Sequence, residues 1–287
     1  MHRFRYVLVD VFTSRPLEGN QLAVFTDATR MTEPLLQRIA REMNLSETVF
    51  VYPPSDRKQA HVSLRIFTPT TELPFAGHPV LGAAFVLGLP LQAVELVLET
   101  GAGRIPVVLE RDGAKIVFGW MRQPVPTVAP VPADAQAALL AALGLSGSTL
   151  PVEAYDNGVG HLYIGLGSPG EVAALQPDLG RLAAALPAGI TGVNCFAGAG
   201  TVWKTRMFAP AAGVAEDPAT GSAAGPLALH LSRNGVVPFG QEIEISQGAE
   251  VGRPSTLYAR AEGSADEVLA IQVGGSAVTV GRGELQL

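Results

Sequence analysis

The chain has 287 residues, a formal charge of −6 and a single cysteine, with 47% hydrophobic and 16% charged residues. This length holds one large domain or two of ordinary size with ample core. The acidic balance excludes a basic nucleic-acid surface, and lone Cys195 excludes an internal disulfide or a multi-cysteine metal site. No apolar stretch reaches the ~20 residues of a membrane span, and the N-terminus lacks the apolar core of a signal peptide. A soluble cytoplasmic protein with no membrane or nucleic-acid partner is expected.

Residues 3–12 alternate polar and apolar and predict a strand. Gly19-Asn20 is a turn signal, and Leu22–Phe25 is the second arm of a hairpin. Thr32 caps a predicted helix through Met43, with Leu35, Leu36, Ile39 and Met43 at helical spacing. Strands are expected at 47–52 and 61–67. Gly77-His78-Pro79 opens a small-residue helix to about Leu87, with Pro79 in its first turn. Strands follow at 94–99, 103–110 and 115–120. The proline-rich run 123–132 reads as a stiff, extended linker. The pattern then restarts: a helix at 133–142, a strand pair at 151–166, a helix at 178–186, and strands at 191–197 and 200–208. A second small-residue helix runs from Thr220-Gly-Ser222 to about Arg233. Strands at 241–247, 255–262, 267–273 and 277–282 finish the chain. The class is α+β. The two small-residue helices are apolar nearly all round, so each should be central, with a sheet wrapped around it.

The most specific signal is a repeat. Glu72-Leu-Pro-Phe-Ala-Gly-His78 and Glu216-Asp-Pro-Ala-Thr-Gly-Ser222 match at a constant offset, since 216 − 72, 218 − 74 and 221 − 77 all equal 144. Upstream, Phe67-Thr68-Pro69 matches Phe208-Ala209-Pro210 at an offset of 141, which Gly19 and Gly160 share. Three extra residues between Phe208 and Glu216 reconcile the two spacings. One long period seen twice is a duplication and not a solenoid. It predicts two similar domains, 1–125 and 126–287, facing each other across one site. The last strand is expected to cross back to the first domain and cover an edge.

Gly77-His78 and Gly221-Ser222 each place free backbone N–H groups at a helix start, where the dipole favours a small carboxylate or phosphate. Ordinary capping by Thr220 and Ser222 is the competing reading. His78 has a pKa suited to acid–base work near neutrality; a half-buried histidine bonded to backbone is its bland alternative. Asp217 is either functional or the anchor of an Asx-turn. Glu72 and Glu216 correspond to each other, which suggests a shared structural role such as bonding to loop backbone. Glu47 opens an apolar strand, as a solvated strand end or as a buried acid with a raised pKa. Arg122 could reach an anion or cap the linker. Cys195 lies mid-strand with no base beside it and reads as core. No phosphate loop, dinucleotide fingerprint or metal-ligand pair is present, so no cofactor or metal is expected.

Together the blocks Gly19–Phe25, Met43–Phe50, Phe67–Pro69, Glu72–Pro79, Arg122–Pro124 and Glu216–Ser222 resemble the PhzF-like phenazine-biosynthesis isomerase family, in the family's order and across nearly the whole chain. Gln21 stands where that family has proline. The resemblance implies a diaminopimelate epimerase-like fold: two similar domains, each a mostly antiparallel sheet rolled around a central helix. It implies a cofactor-independent isomerase that moves a proton on a small cyclic or unsaturated carboxylate bound between the domains. Glu47, His78 and Asp217 would be catalytic, with Asn20, Gly77, Gly221 and Ser222 binding substrate; a homodimer is the family habit. Related epimerases carry a cysteine before each paired glycine. Ala76 and Thr220 stand there in this chain, which argues against two-thiol racemisation. The alternative class is a non-catalytic protein that keeps the fold to bind a protein or metabolite.

Overall fold

The alternating opening segment forms strand β1 (Arg3–Val11), and β2 (Asn20–Phe25) returns antiparallel to it, with Val11 opposite Asn20. The computed structural model describes residues 2–287. Helix α1 (Glu33–Met43) carries the chain to β3 (Glu47–Tyr52), which lies parallel to β2 and sets Glu47 opposite Leu22. Its amphipathic face buries Leu36 and Ile39 in a cluster with Phe25 and Phe50. Next come β4 (Val62–Phe67), a two-residue β5 (Glu72–Leu73), and helix α2 (Gly77–Leu91). Strands β6 (Glu95–Thr100), β7 (Gly103–Asp112) and β8 (Lys115–Gln123) close the first copy.

After β9 (Thr127–Pro130) and α3 (Ala133–Leu143) the order recurs. Strands β10 (Glu153–Asp156) and β11 (Gly160–Gly165) lead through α4 (Pro169–Ala174) and α5 (Leu179–Ala185) to β12 (Ile190–Ala199). Then come β13 (Val202–Ala209), β14 (Val214–Asp217), α6 (Gly221–Arg233), β15 (Ile243–Gln247), β16 (Ser255–Gly263), β17 (Val268–Gly275) and β18 (Ala277–Gln286). The ladders correspond as well: β11 runs parallel to β12 as β2 does to β3, and β13 parallel to β15 as β4 does to β6. Strands β8 and β17 join the two sets, with Met121 opposite Val273.

Two features depart from the sequence reading. The proline-rich run is not a free linker, because β9 pairs antiparallel with β10, Thr127 opposite Asp156. Its proline, Pro130, is tolerated because it ends an edge strand. Helix α4 was not anticipated; Ser168 caps it, accepting a hydrogen bond from the Glu171 N–H at 3.2 Å. The Ser-Pro-Gly-Glu sequence is the capping-box pattern.

The two small-residue helices are central. Helix α6 is buried from Gly221 through Ser232. Leu227 and Leu231 are fully buried, and burial of each contributes ~2 kcal/mol. Pro226 inside α6 has no N–H, so the Ser222 carbonyl loses its helical partner. The Asn157 amide donates to that carbonyl at 3.0 Å. Among the described residues, no helix is long and apolar enough to cross a membrane.

Candidate active site

Helices α2 and α6 meet at their N-termini. A Cβ added to Gly77 would lie 2.5 Å from the Gly221 carbonyl carbon and the Ser222 nitrogen, and one added to Gly221 would lie 2.8 Å from the Phe12 ring. Only glycine allows this backbone contact, which accounts for the Gly in both copies of the motif. Neither helix has a side-chain cap. Ala76 has no polar group to offer, and the Thr220 hydroxyl donates to Asp217 at 2.6 Å instead. Capping therefore does not consume these helix starts, and first-turn N–H groups have no intrahelical acceptor.

Beside this junction lies a cavity of about 40 Å³ with walls from both copies, including Glu47 and Ala76 from the first and His161, Met207, Asp217 and Ser222 from the second. Of the residues singled out in sequence, Glu47, Asp217 and Ser222 face the cavity. Gly77 and Gly221 adjoin its wall residues Ala76, Thr220 and Ser222. Asn20 and His78 stand behind the lining.

Asn20 organises this layer. Its amide nitrogen donates to Asp217 Oδ1 at 2.8 Å and to the Ala219 carbonyl at 2.9 Å, which fixes the amide orientation. The same nitrogen lies 3.2 Å from His78 Nδ1. Both protons of that amide already go to Asp217 and Ala219, and the His78 ring also bonds the Gln21 backbone. His78 Nε2 faces Glu47 Oε2 at 3.3 Å, too poorly aligned for a hydrogen bond. His78 is 3% exposed, so it is more than half-buried, and its ring bonds the Gln21 backbone as the bland reading expected, besides contacting Asn20.

The electrostatics follow from burial. The Glu47 side chain is 14% exposed, but Oε2 is shut off from solvent and unpartnered. Desolvation holds the Glu47 pKa well above 4.5, and the Asp217 charge adds to the effect. Burial also raises Asp217, but hydrogen bonds from Thr220, Asn20 and Ser46 oppose the rise. Of these two coupled carboxyls, Glu47 is therefore the one that holds a proton first. Burial pushes both His78 and His161 down to about 3, so each is neutral at pH 7.

The copied glutamates are structural, although their partner is not loop backbone. Glu72 binds Arg65 through two hydrogen bonds of 2.7 and 2.6 Å, and Glu216 binds Arg206 through two of 2.9 and 2.7 Å. The arginines themselves match, since 206 − 65 = 141. The extra residues of the second copy form a short 3₁₀ turn, Pro210–Ala212, and Ala212 joins the cavity wall. Arg122 is away from the site and bonds the Leu269 carbonyl at 3.0 Å. Its neighbour Gln123 supports α6 by donating to the Gly221 carbonyl at 2.7 Å. Cys195 is buried, and burial pushes its thiol up to about 12.

The sequence reading missed His161, Met207 and Ala212 as lining residues. The signal for His161 lay one residue beyond a match already noted: Gly160-His161 repeats Gly19-Asn20 at the offset of 141.

Residues 9–283 match the family described as phenazine biosynthesis-like protein. The chain is 52% identical to trans-2,3-dihydro-3-hydroxyanthranilate isomerase of Pseudomonas chlororaphis, covering 98% of this chain and 99% of that one. It is 51% identical to the enzyme of the same name from Pseudomonas aeruginosa, with full coverage of both. The crystal structure of a Bacillus anthracis phenazine biosynthesis protein of the PhzF family superposes with a TM-score of 0.85 at 23% identity, covering all of both chains. Strands wrapped around two central helices form the diaminopimelate epimerase-like fold, and the chain belongs to the phenazine biosynthesis-like (PhzF) family as an isomerase.

Proposed function

We propose that the chain isomerises trans-2,3-dihydro-3-hydroxyanthranilate, the compound named for its relatives from two Pseudomonas species, by proton transfer alone and without a cofactor. The observation that carries this reading is Glu47. It is a largely buried carboxyl on the cavity wall, its Oε2 without a partner, with a raised pKa and His78 3.3 Å away. A residue that must take a proton from carbon and return it needs a pKa near the working pH.

The substrate carboxylate sits on the N–H groups of Gly77, Gly221 and Ser222, where both helix dipoles favour it. Glu47 removes the proton from the ring carbon that bears the hydroxyl. The electrons left behind enter the ring diene, and the charge spreads toward the helix ends, which stabilise it. Glu47 then returns the proton to another ring carbon, and the resulting enol becomes a ketone. No atom is gained or lost. Asp217, held by Asn20 and Thr220, orients the substrate hydroxyl, and the His78 ring packs against Glu47. The ligand is thus a small carboxylate. A homodimer, which sedimentation would reveal, is part of the same proposal.

The test is turnover of this substrate in D₂O, followed by NMR. The wild type should form the ketone isomer and place label on carbon. Glu47→Gln should still bind the carboxylate but turn over at least ~10²-fold more slowly, the low end for loss of a general base. Near-normal turnover by Glu47→Gln would move the role to His78 or Asp217. Binding by the wild type without proton exchange would support the alternative, a purely binding protein.

A further inference from the structure

The scheme above leaves one buried nitrogen on the cavity wall unused. His161, in β11, is 2% exposed and lines the cavity. Its Nε2 lies 2.9 Å from the Ser222 hydroxyl. Its Nδ1 has no hydrogen-bond partner among the described residues. A buried polar atom without a partner is destabilising, and native proteins keep few of them without a use.

The duplication shows how this position differs from its counterpart. Asn20 and His161 correspond, since 161 − 20 = 141, and His78 and Ser222 correspond, since 222 − 78 = 144. Each copy therefore sets a polar side chain from its second strand against the residue that follows the helix glycine. Asn20 is fully engaged with Asp217, Ala219 and His78. Among the described residues, His161 bonds only Ser222, and no carboxylate contacts it. Its ring is neutral, with one N–H and one lone pair.

The direction of the Ser222 bond follows from the ligand. Ser222 has one hydroxyl proton and stands at the helix start that receives the carboxylate. A hydrogen bond to an anion is about twice as strong as one between neutral groups, so the hydroxyl proton goes to the ligand. His161 Nε2–H then donates to the Ser222 oxygen, and Nδ1 keeps an unpartnered lone pair in a residue that lines the cavity. That lone pair requires a donor next to the carboxylate. In an anthranilate-type ring the group on the neighbouring carbon is an amino group.

We propose that His161 determines specificity for this amino group, its Nδ1 accepting a hydrogen bond from the amino substituent beside the carboxylate while its Nε2 fixes the Ser222 hydroxyl. The proposal rests on the anthranilate-type substrate of the preceding section. It separates the two ring nitrogens into two tasks, and these can be removed one at a time.

The probes are two stable aromatic acids, 3-hydroxyanthranilate and 3-hydroxybenzoate, which differ only in the amino group. Calorimetry should show that the wild type prefers the aminated acid by about tenfold, the size of one hydrogen bond. In His161→Gln the side-chain amide still reaches Ser222, but nothing replaces Nδ1. This variant should lose about tenfold in affinity for 3-hydroxyanthranilate and less than twofold for 3-hydroxybenzoate. His161→Asn keeps a polar group near the Nδ1 position and cannot reach Ser222. It should weaken both acids while retaining the preference. Thermal melts check folding, and wild-type ¹⁵N NMR needs no variant: the Nδ1 resonance of His161 should move on binding the aminated acid and stay still with the other. Equal losses for both acids in His161→Gln, no loss for either, or an Nδ1 resonance blind to the amino group would overturn the inference. If the wild type turns over the dihydro substrate in such a case, the substrate reading survives. If the wild type binds neither acid and turns over nothing, both readings fall.

Discussion

Glu47 and Asp217 are two carboxyls on one cavity wall, placed so that they hold their protons with different strength. The sequence marks Glu47 only as an acid that opens an apolar strand. The acid whose charge bears on it, Asp217, is 217 − 47 = 170 residues away in the chain, so no local pattern could separate a solvated strand end from a buried acid. The raised pKa has a consequence for stability. Glu47 binds its proton more tightly in the folded chain than in the unfolded one, so its contribution is complete below pH 4.5 and is lost as pH rises through the raised value. Glutamine carries no such penalty. Glu47→Gln should therefore melt at a higher temperature than the wild type at pH 8, with a margin that shrinks toward pH 4.5. A margin independent of pH would show that Glu47 is not desolvated. The buried histidines act in the opposite sense. His78 and His161, held near 3 against 6.5 when unfolded, stabilise fully above pH 6.5, and that stability is lost as pH falls toward 3. Melting temperatures should thus decline on the acid side, and His161→Gln should make the decline shallower.

Among the elements, the duplicated hairpins β4–β5 and β13–β14 carry the same arginine–glutamate clamp in two settings. Side-chain exposures are 27% and 40% for Arg65 and Glu72, but 8% and 11% for Arg206 and Glu216. Arg206 also donates to the carbonyls of Val172, Ala173 and Leu175 at the end of α4. An exposed pair contributes ~1 kcal/mol or less, whereas removing one partner of a buried pair costs about 3–5 kcal/mol. Urea unfolding of Glu72→Ala and Glu216→Ala should show this asymmetry, and equal losses would contradict it. The glycines give a second contrast. Gly77→Ala forces a methyl group against the Gly221 and Ser222 backbone, which cannot move aside as a flexible side chain could. It should cost roughly 3 kcal/mol, the upper end for overpacking, and should also abolish binding of carboxylates. Gly113, whose Cβ would meet nothing, still has a positive φ of 58°, so Gly113→Ala should be destabilising without affecting binding. The central helices were legible because α2 and α6 are apolar all round. The clamp was not, because the arginine that explains each glutamate lies in the preceding strand and nothing local links them.

For the whole molecule, we propose that 1–125 and 126–287 are the two copies of one ancestral unit. The final strand of the second copy, β18, pairs with β1 and so crosses to the first, while β9, just past the boundary, pairs with β10 within the second. The proline-rich composition of 123–132 hid this, because extended linkers and short edge strands use the same residues. Produced from two separate messages in one cell, 1–125 and 126–287 should assemble into an active pair, whereas 1–125 alone should not fold without β18. A folded, monomeric 1–125 fragment would be incompatible with the crossing. The pairing of β1 with β18 also bears on how the protein is born. Their facing ends are 277 − 11 = 266 residues apart in the chain. At about 5–20 residues per second of synthesis, β1 waits roughly 15–50 s for its partner. Until then one side of β1 is an open edge able to pair with other chains. Translation speed, and not the intrinsic folding rate, sets the moment at which the active cavity can first exist, and nascent chains stalled before β18 should be the ones that chaperones hold and proteases cut.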